Sequence, residues 1–500
     1  MLKKMRIMST ILAIAVFSTV ITSCGSSETA ETPKEGISSE ATAKDEPVEL
    51  IWYSIASQPP ADMQVIMDEL NPYLLEKINA TIDVTMMSYA DYNDKLPLMI
   101  NSGEVFDICF TSSGDNPYVY NASKGAFYDL TPYLETVGKE MYEAIDKRFW
   151  KAITIDGKIY SVPTQKELGI APVMKFSNEI IEKGGIELPE YVSDLDVLGD
   201  LLAQGKEADP DTIPLGINKN GFKTVFYNSF DALANGNVPA VTPFTGDVYK
   251  VINPFETEFA LNFCLKMREF YEKGYLPLDA STAETKPTTR FADYGSYQPY
   301  AEDIWERVDG YRTTVVPMQD PIANTSAASG SMHAVSITSP NPEKAVEFLN
   351  LLNTDPFVKN TMTFGVEGIH YEKTGDNSIK LLDKAADYSI PAYTMANNFI
   401  GYTIDPDPAD KWETFKTFND ETAEAPLFGF TFNGESVKNQ AAAVKAVSQQ
   451  YYTQVFTGNN ADVEGTIAEF NEKLYNAGLQ DIINELQKQV DAYVENNNLQ

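Results

Sequence analysis

Between residues 48 and 111 the chain alternates strand and helix in an order that suits a parallel sheet. Val48-Glu49-Leu50-Ile51-Trp52-Tyr53 is rich in residues that pack on a pleated, buried surface. After Pro59-Pro60, the run from Asp62 to Lys77 places Met63, Ile66, Met67, Leu70 and Leu74 at helical spacing. Ala80 to Met87 alternates Ile82, Val84 and Met86 as a second strand. Asp91 to Ser102 reads as a short helix closed by Gly103, and Phe106 to Thr111 as a third strand. Parallel neighbours need a long crossover connection, usually a helix, so β-α-β-α-β predicts an α/β fold with a mostly parallel, helix-covered sheet.

The rest of the chain is long enough for a second core. At 500 residues, with 43% hydrophobic and 22% charged residues, it is globular and sized for two large lobes. Gly157 to Thr164 is a turn and short strand ending at Pro163. Ala171 to Phe176 is a strand, and the helix starting at Asn178 is stopped by Gly184-Gly185. Residues 185–320 are punctuated by Gly and Pro around an amphipathic helix, Glu256 to Lys273, closed by Gly274. Thr313 to Pro317 and Ala334 to Thr338 read as strands. Asn341 and Pro342 predict a helix start as N-cap and N1, with Ala345, Phe348, Leu349 and Leu352 on the buried face. The tail holds two long helical patterns, 435–457 and 462–495, the second broken near Gly478.

Charge and composition exclude several functions. Against 38 Lys and Arg stand 72 Asp and Glu, a net charge of −34, which repels nucleic acid and anionic membrane surfaces. Two histidines and three cysteines provide no His/Cys metal centre, and no cofactor is expected. Asp405-Pro-Asp-Pro-Ala-Asp410 lacks the glycine of a calcium loop and reads as a solvated acidic loop. Cys109 and Cys264 are read as two buried thiols, with a disulfide as the alternative.

The N-terminus carries an address. Lys3, Lys4 and Arg6 precede a mostly apolar run, Ile7 to Ile21, that is too short to span a bilayer and reads as a secretory signal. Ile21-Thr22-Ser23-Cys24-Gly25 resembles a bacterial lipobox, which implies cleavage before a diacylated Cys24. Residues 1–23 are then the signal peptide. Residues 24–47, rich in Ser, Thr, Glu and Ala, form a flexible tether, since they cannot bury enough surface to offset chain entropy. The expected location is the extracytoplasmic face of the cell membrane, held there through the lipid alone.

Several segments together resemble the family 1 extracellular solute-binding proteins of ABC importers. They are Gly103-Glu-Val-Phe-Asp-Ile-Cys-Phe, Gly125-Ala-Phe-Tyr-Asp-Leu-Thr-Pro-Tyr-Leu134, Gly157-Lys-Ile-Tyr-Ser-Val-Pro163 and Ser339-Pro-Asn-Pro-Glu-Lys-Ala-Val-Glu-Phe-Leu349. Phe364 to Tyr371, Phe428-Gly-Phe-Thr-Phe432 and Ala477-Gly478 are similar to a lipoprotein (LipO-like) subgroup with a characteristic C-terminal domain. The subgroup usually has a Gly-Asn-Gln-Phe-like stretch where this chain has Ala396-Asn397-Asn398-Phe399, so its ligand contacts do not transfer directly.

The resemblance implies a two-lobed, periplasmic-binding-protein-like type II fold with a hinge of three crossing segments and the ligand in the cleft. Lobe 1 is expected to hold 48–162 with part of 330–395. Lobe 2 would hold 163–329 with part of a helical C-terminal region, 396–500. The implied function is capture of a small solute, an oligosaccharide, for delivery to an ABC permease by a monomeric receptor. Two rivals are a secreted glycoside hydrolase, which needs a carboxylate pair at about 5–9 Å, and a surface peptide-binding protein or adhesin of the same fold. The protein is expected not to be an enzyme.

A sugar cleft needs aromatic faces for the rings and planar polar groups for the hydroxyls, and open α/β sheets place such groups beyond strand ends. That rule nominates Tyr53 and Ser54 after the first strand, and Ser113 and Asp115 after the third. It also nominates Thr164, Gln165, Lys166 and Glu167 after the crossing at Pro163, and Tyr297 with Trp305 in lobe 2. The resemblance adds Asn397 and Asn398, and Trp412 is nominated among its acidic neighbours. Each has a structural alternative. Residues 112–116 are equally a polar turn, 165–167 a solvated hinge surface, Tyr297 and Trp305 core aromatics, and Trp412 a loop cap. Trp52 is read as core and His333 as an ordinary hydrogen-bonded residue.

Overall fold

Leu50 and Trp52 anchor β1 (Val48–Ile55) in the core, and the strand pairs in parallel along its whole length with β2 (Ala80–Met87). The computed structural model describes residues 46–234 and 237–499. The expected signal peptide, Cys24 and all but the last two residues of the tether lie outside the described residues. The helix Met63–Ile78 carries the chain from β1 to β2 and buries the expected stripe of Ile66, Met67, Leu70 and Leu74. Tyr89–Ser102 follows, capped by Ser88 Oγ and ended by Gly103 at φ 73°, a left-handed turn that favours glycine. β3 (Ile108–Thr111), buried at every residue, pairs in parallel with β1 on its other side.

The chain then adds β4 (Ser161–Pro163) to the far edge of this sheet and leaves it. A second sheet is built from β5 (Ala171–Ser177), β6 (Ile213–Leu215), β7 (Arg290–Tyr297) and β8 (Thr313–Pro317). β5 lies between β7 and β8, antiparallel to both, and β6 runs parallel to β7. The chain returns through β9 (Met332–Val335), which pairs antiparallel with both β3 and β4, so the first sheet reads β2-β1-β3-β9-β4. β9 starts two residues before the expected strand. The following helix, Pro342–Thr354, starts where Asn341-Pro342 predicts, but Asn341 gives no side-chain cap. Its own N–H instead donates to Ser339 Oγ at 3.1 Å.

Two hydrophobic cores result. The first gathers Trp52, Phe110, Trp150, Phe348, Leu349 and Met395, and the second Phe176, Phe226, Phe263, Phe291, Phe456 and Phe470. Three passes join them. The Gln165–Ile170 stretch meets Ile322 by an isolated bridge, and Ile322–Ala323 pair in parallel with Ala423–Glu424. The third pass thus falls near 423. Residues from 396 to about 420, grouped with the tail from sequence, keep contact with the first side, where Ala396 joins the core and Asn398 meets Lys359.

The helices Lys438–Phe456, Val463–Asn476 and Leu479–Asn496 complete the second core. Phe226 stacks on Phe255 at 5.2 Å and also meets Phe456, which ties the tail to that lobe. Gly478, at φ 101°, separates the last two helices. A Cβ there would stand 2.6 Å from the Gln440 side chain. Cys109 and Cys264 are free thiols in different cores.

Candidate functional site

A cavity of about 740 Å³ opens beside the crossing passes and takes walls from both lobes. The first lobe contributes the loop after β3, with Ser113, Gly114 and Pro117 to Tyr120. Local hydrogen bonds stiffen this loop. Ser112 Oγ accepts from the N–H groups of Gly114 and Asp115, and Asn116, at φ 46°, donates from Nδ2 to the Phe110 carbonyl. The passes contribute Ile170, Ile322 and Asn324 to Ser326. The second lobe contributes Tyr227, Asn228 and Phe230 to Ala234. The tail closes the remaining side with Phe430 to Glu435 and one face of the helix Lys438–Phe456, presenting Lys438, Ala441, Ala442 and Lys445.

The wall combines apolar faces with unspent polar groups. Tyr120, Tyr227, Phe244 and Phe432 line it with rings that are partly or fully exposed. Asn228 Nδ2, Asp231 Oδ2 and Glu435 Oε2 are buried atoms with no hydrogen-bond partner among the described residues. Asp231 sits on a short strand, Phe230–Asp231, paired with Thr242–Pro243. Its side chain is pushed up to about 7 by burial. Glu435 Oε1 accepts from Lys124 of the first lobe and from Lys438, each at 2.8 Å, and these bonds hold its carboxyl below the usual range. Rings that can stack and donors or acceptors left open suit a polyhydroxylated guest.

Of the residues nominated from sequence, Ser113 lies on this cavity, where its Oγ donates to the Ser326 carbonyl at 3.2 Å. The others stand elsewhere, mostly because the protein itself uses their polar capacity. β1 runs on to Ile55, so Tyr53 and Ser54 are inside the sheet. Tyr53 packs edge-on against Phe106, and Ser54 is buried. Asp115 turns to Asn93, whose Nδ2 donates at 2.7 Å. Thr164 shares a hydrogen bond with Ser331 Oγ, and Lys166 pairs with the adjacent Glu167 at 2.7 Å.

Gln165, Asn397 and Asn398 form an internal amide network. Gln165 Nε2 donates to Asn397 Oδ1 at 3.0 Å, and Asn398 Oδ1 accepts from Lys359 Nζ at 3.0 Å. Tyr297 lies on a separate concavity with Tyr300, Glu302 and Arg312. Trp305 lies under Lys175 Nζ at 4.9 Å. Trp412 donates to the Gly401 carbonyl at 2.7 Å and packs on Phe399 and Phe415, capping that loop.

Trp52 is core, as read. His333 corrects the expectation of an ordinary hydrogen-bonded residue. Caged by Trp52 and Phe110, neither ring nitrogen has a partner among the described residues, and burial, with Lys359 nearby, pulls it down to about 3. Asp407 of the acidic loop is taken by Lys411 at 2.7 Å.

Sequence reading missed Tyr227, Asn228, Phe230 and Asp231, which lie in the Gly/Pro-punctuated stretch without a motif. Phe428 to Phe432 carried a family resemblance but no expected contact. The signal available there was a run of aromatics interleaved with Gly and Thr, more than one core strand needs.

Two cores, three passes and a cavity at their junction define a two-lobed solute-binding protein. The chain belongs to the bacterial extracellular solute-binding protein family, whose model matches residues 56–359. A domain of unknown function, DUF3502, matches residues 426–495. A carbohydrate ABC transporter substrate-binding protein of Streptococcus pneumoniae serotype 4 is 31% identical over 468 residues, 91% of this chain and 93% of that one. Lipoprotein LipO of Bacillus subtilis is 22% identical and covers 74% of each chain. The crystal structure of the N-glycan transport solute binding protein NgtS from Streptococcus pneumoniae superposes with a TM-score of 0.80 at 30% identity, covering 90% of this chain and 100% of that one. NgtS in complex with Man5GlcNAc matches with a TM-score of 0.69.

Proposed function

We propose that this protein is a lipid-anchored receptor that captures an oligosaccharide between its lobes and delivers it to the permease of an ABC importer. The cavity carries the reading. Its walls come from both lobes, it holds about 740 Å³, within the roughly 300–1,000 Å³ of small-molecule sites, and it offers stacking rings beside unpaired polar atoms. The similarity to NgtS, whose complexes hold Man1GlcNAc and Man5GlcNAc, supports a glycan guest. A guest that touches the loop at Tyr120 and the strand at Asp231 gains both sets of contacts only when the lobes approach. Binding therefore shifts the open–closed equilibrium, and the three passes absorb the rotation. No bond is made or broken. The domain of unknown function supplies a wall of the ligand site through Phe430 to Lys445. Cys24 keeps the monomer on the extracytoplasmic face, a reading supported by the lipoprotein relative.

Calorimetry against neutral mannose- and N-acetylglucosamine-containing oligosaccharides, amino acids and peptides tests this. At least one glycan is expected to bind, and Ala442→Trp, which fills the tail wall, is expected to abolish it. A ligand at 100 times its Kd also adds about 2.7 kcal/mol of stability. Binding to no glycan, or binding indifferent to Ala442→Trp, removes the proposal. Release of reducing sugar from a bound glycan returns the hydrolase.

A further inference from the structure

The second lobe buries two aspartates and treats them differently. Asp293 is surrounded by cations: Lys175 at 3.0 Å, Arg290 at 2.5 Å and Lys286 at 3.4 Å. Asp231 is 4% exposed, makes no ion pair among the described residues, and has an unpartnered Oδ2. Its neighbours on the cavity wall include Phe230, Ala232, Leu233 and Val238. A buried carboxylate oxygen without cation or donor is costly, and no described residue offers one to Oδ2. Hydroxyl groups of a bound sugar would offset it, because they are donors a carboxylate can accept from. A second carboxylate at a few ångströms would add to it.

We infer that Asp231 restricts the cavity to uncharged sugar units, its carboxylate accepting hydroxyl protons of the guest and repelling uronates and other acidic sugars. This rests on the glycan-binding reading and narrows its substrate class. The two cations on the wall do not reverse it. Lys438 is engaged by Glu435, and Lys445, on the same tail helix, makes no ion pair with Asp231, whose shift comes from burial alone. The titratable groups on the other walls are Tyr118, Tyr120, Tyr227 and Glu435, with Lys223 on the helix before Asn228. The partner strand Thr242–Pro243 carries none.

The test is calorimetry of the whole protein with Man1GlcNAc and with trigalacturonate, from pH 6 to pH 8, on wild type and Asp231→Asn. Wild type is expected to bind the neutral glycan, more tightly as pH rises and Asp231 ionises, and at pH 8, where Asp231 is ionised, to bind trigalacturonate at least roughly 10-fold more weakly. Asp231→Asn is expected to weaken the neutral glycan by about 10- to 100-fold and to flatten the pH profile, with no fall in the thermal midpoint of the unliganded protein. Trigalacturonate binding wild type as tightly as the neutral glycan overturns the inference and leaves the glycan receptor standing. So does an unchanged neutral affinity in Asp231→Asn. Wild type binding neither sugar overturns the inference together with the function on which it rests.

Discussion

Among the described residues each lobe buries a charge without a counter-ion, and two of them, Lys359 and Asp231, are handled in opposite ways. In the first lobe Lys359 is 1% exposed, yet its ammonium donates to the Met395 carbonyl and to Asn398 Oδ1. Asn398 follows Asn397, which is itself held by Gln165 and donates to the Asn353 carbonyl. In the second lobe Asp231 lies on the cavity wall, and its Oδ2 has no hydrogen-bond partner among the described residues. The first arrangement is architecture, with a buried charge solvated by fixed amides at the root of the crossing passes. The second is a group left for a visitor. The contrast also explains why Gln165, Asn397 and Asn398, which have the chemistry of sugar-binding amides, do not line the cavity.

Substitutions on either side of this contrast have effects of different size. The largest expected effect is on the paired counterpart of Asp231. Asp293→Ala leaves Lys175 and Arg290 to share the single carboxylate of Asp309 in the second lobe and should cost about 3–5 kcal/mol in chemical denaturation, whereas Asp231→Asn should not destabilise the unliganded protein. A cost below about 1 kcal/mol for Asp293→Ala would remove the distinction between the two aspartates.

Next comes the pH dependence, which should have opposite signs in the two lobes. Burial raises Asp231 from 3.8 to about 7, so the folded state holds this proton more tightly. Its contribution is complete below about pH 4 and is lost as pH rises towards 7. Burial lowers Lys359 from 10.5 to about 7, so the unfolded state holds that proton more tightly. Its contribution is complete above about pH 10.5 and is lost as pH falls towards 7. Denaturation midpoints at pH 5, 7 and 9 should show Asp231→Asn flattening the acid side and Lys359→Met the alkaline side. The reverse pattern would mean that the two charges have been misassigned.

A smaller effect separates scaffold from site. Asn398→Ala removes an acceptor from Lys359 and should cost about 1–3 kcal/mol while glycan affinity stays within twofold. A loss of affinity as large as that of Asp231→Asn would return the amides to the site. The smallest effect belongs to the solvated bridge between lobes. Lys124→Ala, with that side chain 46% exposed, should leave the denaturation midpoint unchanged within error, since exposed pairs contribute little.

The β-α-β-α-β opening, the core stripe of the first helix, the strands leading into the crossing at Pro163 and the break at Gly478 were all legible in the chain. Each depends on residues within a few positions of one another. The family was legible for the same reason, through short segments such as Gly157 to Pro163. The site was far less so. Ser113, nominated because it follows a strand, lies on the cavity. Tyr53 and Ser54 lie within the sheet because the strand continues two residues past the expected end, and a single position of misjudged length moves a side chain from loop to sheet. Tyr227 and Asp231 had no local signature at all.

Local order follows from near neighbours, so spacing, proline and glycine were enough to specify the elements and the class of fold. Whether a polar side chain is spent or free depends on partners far along the chain. Gln165 meets Asn397 across 232 positions, and Lys124 meets Glu435 across 311. Folding alone brings those pairs together, and in doing so it leaves Asp231 on the cavity wall with an oxygen that has no partner among the described residues.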